Sequence, residues 1–240
     1  FRFKEIKLRG GRDQRRRGVF ESNEYRKLYV FMRKWVNEAK KDLDEKTYLE
    51  RFLIRDCVLI GANTMLRVGE LWQLKWKDIK TIYEANTNTG KTVNIVELNV
   101  RAETSKVRVS RIVKSRGGEY FKRIRKRSNF TNRDDFIFTQ IESENRFRRE
   151  SFYKYWHELM EGAKIKDYKE RKLTWYSLRH YGITTRLRAE IDVTTLADIA
   201  GTSISQIEKH YGHIDSSMRD RAILKDPIYM PVGTEDVDWI

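Results

Sequence analysis

The chain has 240 residues, with 50 Lys and Arg against 35 Asp and Glu, a formal net charge of +15. Because such an excess destabilises a compact protein by self-repulsion, it favours a polyanionic partner, nucleic acid first and an anionic membrane surface second. A hydrophobic fraction of 39% is enough for a buried core and excludes an intrinsically disordered protein. Composition leaves open whether the protein is a nucleic-acid enzyme or a binder without chemistry.

Cysteine usage and hydropathy indicate the compartment. The single cysteine, Cys57, lies in an apolar run and cannot form an internal disulfide, so we expect a small core residue in a protein of the reducing cytoplasm. Neither a secretory signal nor an apolar run near ~18 residues is present, which predicts no membrane association. The chain begins with Phe1 and not Met, which predicts a fragment or a processed product.

The two ends differ in composition from the middle. Residues 1–17 are basic and contain glycine, and are expected to form a linker or arm that follows DNA phosphates. Residues 225–240 contain both prolines and end in acidic and aromatic residues. Such a tail is more typical of an interaction arm than of a core.

Helical periodicity dominates the first third of the chain. Apolar residues at helical spacing predict a first helix with Ser22 or Asn23 as its N-cap and a second from Glu45 to Ile60 that ends near Gly61. A third helix is expected from about Val68. At its start Arg67 and Glu70 are three residues apart and share a helix face, as a plain salt bridge or as part of a site.

Between residues 80 and 114 the period changes towards two. Three runs separated by turns predict a three-stranded antiparallel meander, with VRVSRIVK (107–114) as its third strand. Lys106 falls at a hairpin tip or strand start, where its side chain can reach a ligand. Basic residues crowd this sheet and its exit, and we expect them to bind DNA: Arg101, Arg108, Arg111, Lys114 and Arg116.

The second half returns to helical periodicity. A helix is expected after Gly118, an aromatic amphipathic helix over residues 143–162, and a longer one in residues 173–189 with Ser177 as N-cap. Two short helices over 192–200 and 203–209 follow, and a last one after Tyr211. The chain is therefore predicted to be mainly α with a small three-stranded antiparallel β-sheet.

Several sequence signatures of cofactor or metal chemistry are absent. The sequence has no phosphate-loop or dinucleotide-binding glycine pattern, no paired cysteines, no HExxH and no acidic cluster suited to a two-metal nuclease. We therefore predict neither a cofactor nor a metal.

Three segments together resemble the tyrosine recombinases, the phage-integrase superfamily: TMLRVGELWQLKWKDI (64–79), TWYSLRHYGITTRL (174–187) and AGTSISQIEKHYGH (200–213). They are similar to the family's first-arginine box, its H-x-x-R box and its nucleophile box, in the family's order. The resemblance covers roughly residues 18–224, which it implies to be a catalytic domain.

The resemblance also implies roles for individual residues. Tyr211 matches the nucleophile, Arg67 and Arg179 the two catalytic arginines, Lys106 the general acid and Glu70 the acidic support. Two planar arginines suit the negative charge that develops on a phosphodiester under attack. The products would be a 3′-phosphotyrosine and a free 5′ hydroxyl, and because bond energy is conserved, no cofactor is needed.

Two positions depart from the family pattern. Tyr176 occupies a position where the family often has histidine. Thr202 occupies one where the family often has histidine or tryptophan. Each can donate a hydrogen bond to a phosphate, but a phenol with an ordinary pKa near ~10 is a poor base at neutral pH. His180 and His213 are the candidates to supply the missing proton transfer.

The resemblance implies a site-specific recombinase that integrates or excises a mobile element or prophage. Its partner would be double-stranded DNA, bound by a homo-tetramer in which residues 225–240 pack on a neighbouring protomer. The isolated catalytic domain would be a monomer. Two alternatives remain open: a type IB topoisomerase-like enzyme that relaxes DNA, and a basic DNA-binding protein without catalysis.

Overall fold

A computed structural model describes residues 18–42 and 44–211. Its helices are α1 Ser22–Asp42, α2 Glu45–Thr64, α3 Val68–Trp72, α4 Gly118–Arg125, α5 Arg149–Gly162, α6 Trp175–Arg188, α7 Val193–Ala200 and α8 Ile204–Tyr211. An antiparallel sheet has the order β1-β2-β3, and β4 and β5 form a separate hairpin: β1 Ile79–Asn86, β2 Thr92–Val100, β3 Arg111–Arg116, β4 Thr139–Gln140 and β5 Ser143–Arg146. The prediction of a mainly α fold with a small three-stranded sheet is confirmed.

Helix α2 runs through the core and determines where the first arginine box lies. Asp44 caps its N-terminus by accepting a hydrogen bond from the Thr47 N–H (2.9 Å). The helix continues past the expected end near Gly61, because the apolar run extends through Ala62 and the buried Thr64 hydroxyl bonds back to the Ile60 carbonyl. Met65, in the left-handed region at φ 55°, then ends the helix and turns the chain towards Arg67.

Helix α6 is held between α2 and the aromatic residues of α5. The Trp175 ring stacks on Phe152 at a centroid distance of 3.7 Å, which fixes the start of α6. The expected N-cap at Ser177 is wrong by one turn: Thr174 is the N-cap, and its N–H donates to the Ser177 hydroxyl (3.1 Å). Ser177 therefore lies in the first helical turn, and Arg179 follows it on the same helix.

Two further expectations differ from the structure. Strand β3 begins at Arg111 and not at residue 107, since residues 101–110 form successive turns that leave Val107 and Val109 exposed. The alternation of apolar and polar residues at 107–110 is typical of a strand, which is why the sequence predicts one there. Residues 143–146 form strand β5, paired with β4, and the helix expected from residue 143 begins only at Arg149.

Some predictions fall outside the described residues. These are the basic arm of residues 1–17, His213, the helix expected after Tyr211 and the tail of residues 225–240. Within the described part, Cys57 is buried in the core, as expected. No helix described there combines the length and apolar character needed to span a membrane.

The close contact between α2 and α6 gives a first prediction. A Cβ at Gly182 would lie 2.4 Å from the Ala62 carbonyl oxygen, which is backbone and cannot rotate away. We expect Gly182→Ala to lower the free energy of unfolding by about 1–3 kcal/mol, measured by denaturant titration. Gly69→Ala is the control, because a Cβ there meets nothing within 4 Å; equal effects of the two changes would contradict the packing argument.

Candidate active site

The first arginine box is organised around the buried carboxylate of Glu70. Arg111, at the start of β3, binds it with two hydrogen bonds (3.1 and 2.8 Å). Arg67 donates to it from its backbone N–H and its side chain, both at 2.9 Å. Burial acts to raise the pKa of Glu70, but the bonds and charges of Arg111 and Arg67 outweigh burial and hold that pKa below its usual range.

Arg67 also connects α3 to the turn between α7 and α8. Its Nη2 donates to the carbonyl of Gly201 (2.6 Å), 134 residues further along the chain. Gly201 ends α7 in the left-handed conformation, and the Thr202 N–H that follows bonds the Ala197 carbonyl (2.9 Å). The half-exposed Thr202 side chain is therefore held next to the residue that Arg67 contacts.

Arg179 reaches the same region from α6. Its side chain is buried, and its Nη1 donates to the Met65 carbonyl, two residues before Arg67. Burial and the positive charge of Arg67 together lower the pKa of Arg179. The two arginines, 112 positions apart in the sequence, are thus close enough to repel each other, and an anion between them would relieve that repulsion.

Tyr211, the last residue of α8, is packed in a small apolar cluster that includes Met65, Ile183 and Ile207. It is 7% exposed, and its hydroxyl forms a hydrogen bond with Nδ1 of His180, the residue after Arg179. Burial raises the pKa of Tyr211, and the charge of Arg179 opposes that rise without cancelling it. The phenol is therefore in its neutral form and lies close enough to Arg179 to interact with its charge.

Lys106 shares a cavity with the first arginine box. It is exposed in the loop between β2 and β3, and it lines an open cavity of about 330 Å³ together with Arg67 and Glu70. Arg108 lines the same cavity. The loop therefore adds two basic side chains to the cavity that Arg67 lines.

The other predicted DNA-binding residues have different surroundings. Arg101 is held by Asp78 (2.9 Å), Glu103 (2.7 Å) and the Gln73 carbonyl (2.7 Å), and Arg111 by Glu70. Both arginines are therefore held by ion pairs within the chain, and their binding to DNA stays a prediction. Lys114 is exposed and pairs with Glu97 across the sheet (3.1 Å), and Arg116 is exposed at the end of β3.

A second cavity, of about 790 Å³, adjoins the first at Gly69, which lines both. Tyr176 lines it, and so do three exposed arginines that the sequence analysis did not select: Arg146, Arg148 and Arg149. The available signal was the run RFRR (146–149), which was included in a predicted helix and not recognised as a basic edge. These arginines extend the positive surface away from Arg67.

Titratable side chains elsewhere do not form an arrangement typical of a metal centre. Across residues 18–42 and 44–211, no group of three or more His, Cys, Asp or Glu side chains is placed to hold an ion. His157, on α5, contacts the Tyr168 hydroxyl (3.2 Å), and neither residue belongs to an arginine box.

The fold and the grouped boxes define the class. The phage integrase family model matches residues 19–218, and the chain belongs to that family, the tyrosine recombinases. Its fold is similar to that of XerH site-specific recombinase bound to a difH substrate, at a TM-score of 0.61 and 18% identity over 86% of this chain and 52% of that one. The chain therefore spans about half the length of XerH.

Two other solved structures are similar to the described fold. Tn1549 transposon integrase in complex with transposon right end DNA matches with a TM-score of 0.56 and 15% identity, over 88% of this chain and 66% of that one. XerA recombinase matches with a TM-score of 0.53 and 21% identity, over 88% and 65%. No curated protein sequence matches the chain.

Gly201 gives a prediction specific to this site. At φ 62° it is left-handed, and a Cβ would lie 2.3 Å from Nε of Arg111. We expect Gly201→Ala to displace Arg111 from Glu70 and to lower the midpoint of thermal unfolding. Gly90→Ala is the matched control, since Gly90 is also left-handed (φ 76°) but has open space around it. The left-handed strain common to both is about 1 kcal/mol, so an equal loss in both variants would contradict a role for Arg111.

Proposed function

We propose that this chain is the catalytic part of a site-specific recombinase that cuts and rejoins DNA through a covalent bond to Tyr211. Its biological role would be integration or excision of a mobile element or prophage. The observation that carries the proposal is the convergence of Arg67, Arg179 and the Tyr211 hydroxyl, with Lys106 across the cavity beside Arg67.

The chemistry follows from the positions of these groups. A phosphate bound between Arg67 and Arg179 would have its negative charge neutralised, so it would repel the attacking Tyr211 oxygen less. Both guanidinium groups also match the negatively charged oxygens of the transition state. The Tyr211 oxygen bonds to phosphorus as the bond from phosphorus to the 5′ oxygen breaks. Lys106 gives that leaving oxygen a proton. The products are a 3′-phosphotyrosine and a 5′ hydroxyl, and reversal with another 5′ hydroxyl rejoins the strand.

The two adjoining cavities support double-stranded DNA as the partner. Exposed Arg108 lines the cavity that contains Arg67, and exposed Arg146, Arg148 and Arg149 line the adjoining one, so positive charge continues over both cavities. XerH and the Tn1549 integrase, which share the fold, are themselves seen with DNA. A tetramer on DNA, with residues 225–240 packed on a neighbour, remains a prediction.

The proposal is tested by covalent trapping. The chain is incubated with a pool of nicked duplexes of randomised sequence in EDTA, so that the short cleaved strand diffuses away and the adduct accumulates. We expect an SDS-resistant protein–DNA adduct. Binding to the pool without any adduct would contradict the proposal and would favour a DNA-binding protein without catalysis.

A second assay separates recombination from the topoisomerase alternative. Duplexes recovered from the adduct are cloned as paired sites in one plasmid and incubated with the chain. Strand exchange between the sites is expected for a recombinase. Relaxation of supercoils on a plasmid with a single site, without exchange in the paired plasmid, would instead assign the activity to a type IB topoisomerase-like enzyme.

Arg179→Lys tests the second arginine. Lysine keeps the charge but loses the planar fork, so we expect single-turnover adduct formation to slow by about 10²–10³-fold. Arg186→Lys is the control: Arg186 is also an arginine of α6, it is partly buried, and it donates to the Gly182 and Asn63 carbonyls without being one of the proposed site residues. Equal slowing by both variants would mean that the effect comes from disturbed packing of α6, and it would contradict a role for Arg179 in binding the phosphate.

A further inference from the structure

The hydrogen bond between Tyr211 and His180 identifies a group that the family motif does not supply. The Tyr211 hydroxyl contacts Nδ1 of His180, and the two rings lie 5.5 Å apart. We propose that His180 is a catalytic base that takes the phenol proton of Tyr211 as it attacks DNA. The inference rests on the proposed function and assigns to His180 a role that the H-x-x-R position, here Tyr176, does not fill.

The environment of Tyr211 makes such a base necessary. Its side chain is 7% exposed, and burial keeps the pKa of the phenol above its ordinary value. Arg179 lowers that pKa, but the net direction is still upward. A phenol held in its neutral form is a weak nucleophile, and proton removal at the moment of attack restores its reactivity.

The neighbouring groups do not serve as well. Tyr176 is a phenol, a poor proton acceptor at neutral pH, and its ring packs edge-on against His180 at 4.9 Å. His210 is exposed, and its ring centroid is 6.4 Å from that of Tyr211. Imidazole itself exchanges protons near neutral pH, which suits a base that must act there.

The proton balance is simple. Nδ1 accepts the proton, so the reactive tautomer carries its hydrogen on Nε2. The phenol O–H bond breaks, its oxygen bonds to phosphorus, and the 5′ oxygen leaves with a proton from Lys106. On rejoining, the imidazolium returns its proton to the departing Tyr211 oxygen, and Lys106 recovers its own from the attacking 5′ hydroxyl. No proton is left over in the complete cycle.

Two variants separate a base from a positioning group. His180→Ala removes the contact, and we expect single-turnover adduct formation on the duplex recovered by trapping to slow by about 10²–10⁴-fold. His180→Asn can keep a hydrogen bond near the Nδ1 position, but an amide does not take up the proton, so it should be as slow as alanine. Recovery of the wild-type rate by asparagine would overturn the proposal in favour of positioning.

A matched control exists within the chain. His157 contacts the Tyr168 hydroxyl through its Nδ1 (3.2 Å), a pair of the same kind that the mechanism does not use. His157→Ala is expected to leave the adduct rate unchanged. Slowing equal to that of His180→Ala would overturn the proposal, since the effect would then follow from losing any such contact.

A modified substrate distinguishes base from acid. In a duplex with sulfur in place of the bridging 5′ oxygen, the leaving thiolate needs no proton. Lys106→Ala should recover its rate on this duplex, whereas His180→Ala should stay slow. If His180→Ala recovers its rate on this duplex, His180 protonates the leaving group and the proposal is overturned. If His180→Ala reacts at the wild-type rate on both duplexes, His180 has no catalytic role and the proposal is overturned as well. Neither outcome affects the adduct formed by the wild-type chain, so the proposed function is tested separately from the role of His180.

Discussion

Replacing Tyr211 with phenylalanine is expected to abolish the covalent adduct while leaving DNA binding intact. Phenylalanine keeps the ring that packs against Met65, Ile183 and Ile207 but has no oxygen to attack phosphorus. The lost bond to His180 is worth about 1 kcal/mol, so the variant should fold and unfold at nearly the wild-type temperature. Denaturing gels for the adduct and fluorescence anisotropy for binding measure both quantities.

The result is informative because other tyrosines are available for comparison. Tyr176→Phe removes a phenol that lines the larger cavity and lies close to Arg179, without removing the proposed nucleophile. We expect it to slow the reaction but to leave a detectable adduct. If Tyr211→Phe still forms the adduct and Tyr176→Phe does not, the nucleophile has been assigned to the wrong residue.

Glu70→Gln is expected to weaken both the fold and the site. The buried carboxylate binds Arg67 and Arg111, and glutamine would leave two partly buried positive charges without a countercharge. Removing one partner of a buried pair typically costs about 3–5 kcal/mol of stability. The same change releases Arg67 from its fixed position, so the adduct rate of the folded variant should fall by about 10²-fold.

The difference in stability between wild type and Glu70→Gln should decrease as the pH falls. Because the folded pKa of Glu70 lies below the ordinary value of 4.5, its stabilising contribution is complete above about pH 4.5 and is lost as the pH falls through the folded pKa. Thermal unfolding of both proteins from pH 7 downwards should therefore show a gap between wild type and Glu70→Gln that is constant at first and narrows in acid.

Asp56→Asn provides the control for Glu70. Asp56 is also a fully buried carboxylate between two arginines, Arg55 and Arg123, but it joins α2 to α4 and not to the site. It should lose stability on a similar scale and keep the wild-type adduct rate once folded. A loss of rate in Asp56→Asn as large as in Glu70→Gln would mean that the rate follows stability and not the position of Arg67.

Much of the fold was predictable because it depends on local periodicity. The helices around Ser22, Glu45 and Val68 follow a 3.6-residue pattern, and the sheet follows a two-residue one. The errors fall where a local signal has two readings. Alternation at Val107 and Val109 is equally typical of a strand, but Arg101, anchored to Asp78, belongs to a turn that delays β3 until Arg111.

The resemblance to the family predicts members of the candidate site but not their contacts. It assigns Arg67, Arg179 and Tyr211 to the site, whereas the bond between Glu70 and Arg111 joins residues 41 positions apart and exists only in the fold. Charge alone does not show that a basic residue such as Arg111, predicted to bind DNA, also pairs with a buried carboxylate. The bond from His180 to Tyr211 likewise exists only once α6 and α8 are packed together.

The most direct test of the account is to find where the DNA is attached. Trypsin should release the adduct on the peptide HYGHIDSSMR, residues 210–219, which contains a single tyrosine. Tandem mass spectrometry should locate a nucleotide, linked through its 3′ phosphate, on Tyr211, and polynucleotide kinase should label the free 5′ hydroxyl of the other product. Attachment to Ser216, to a different peptide or through a 5′ phosphate would contradict the account.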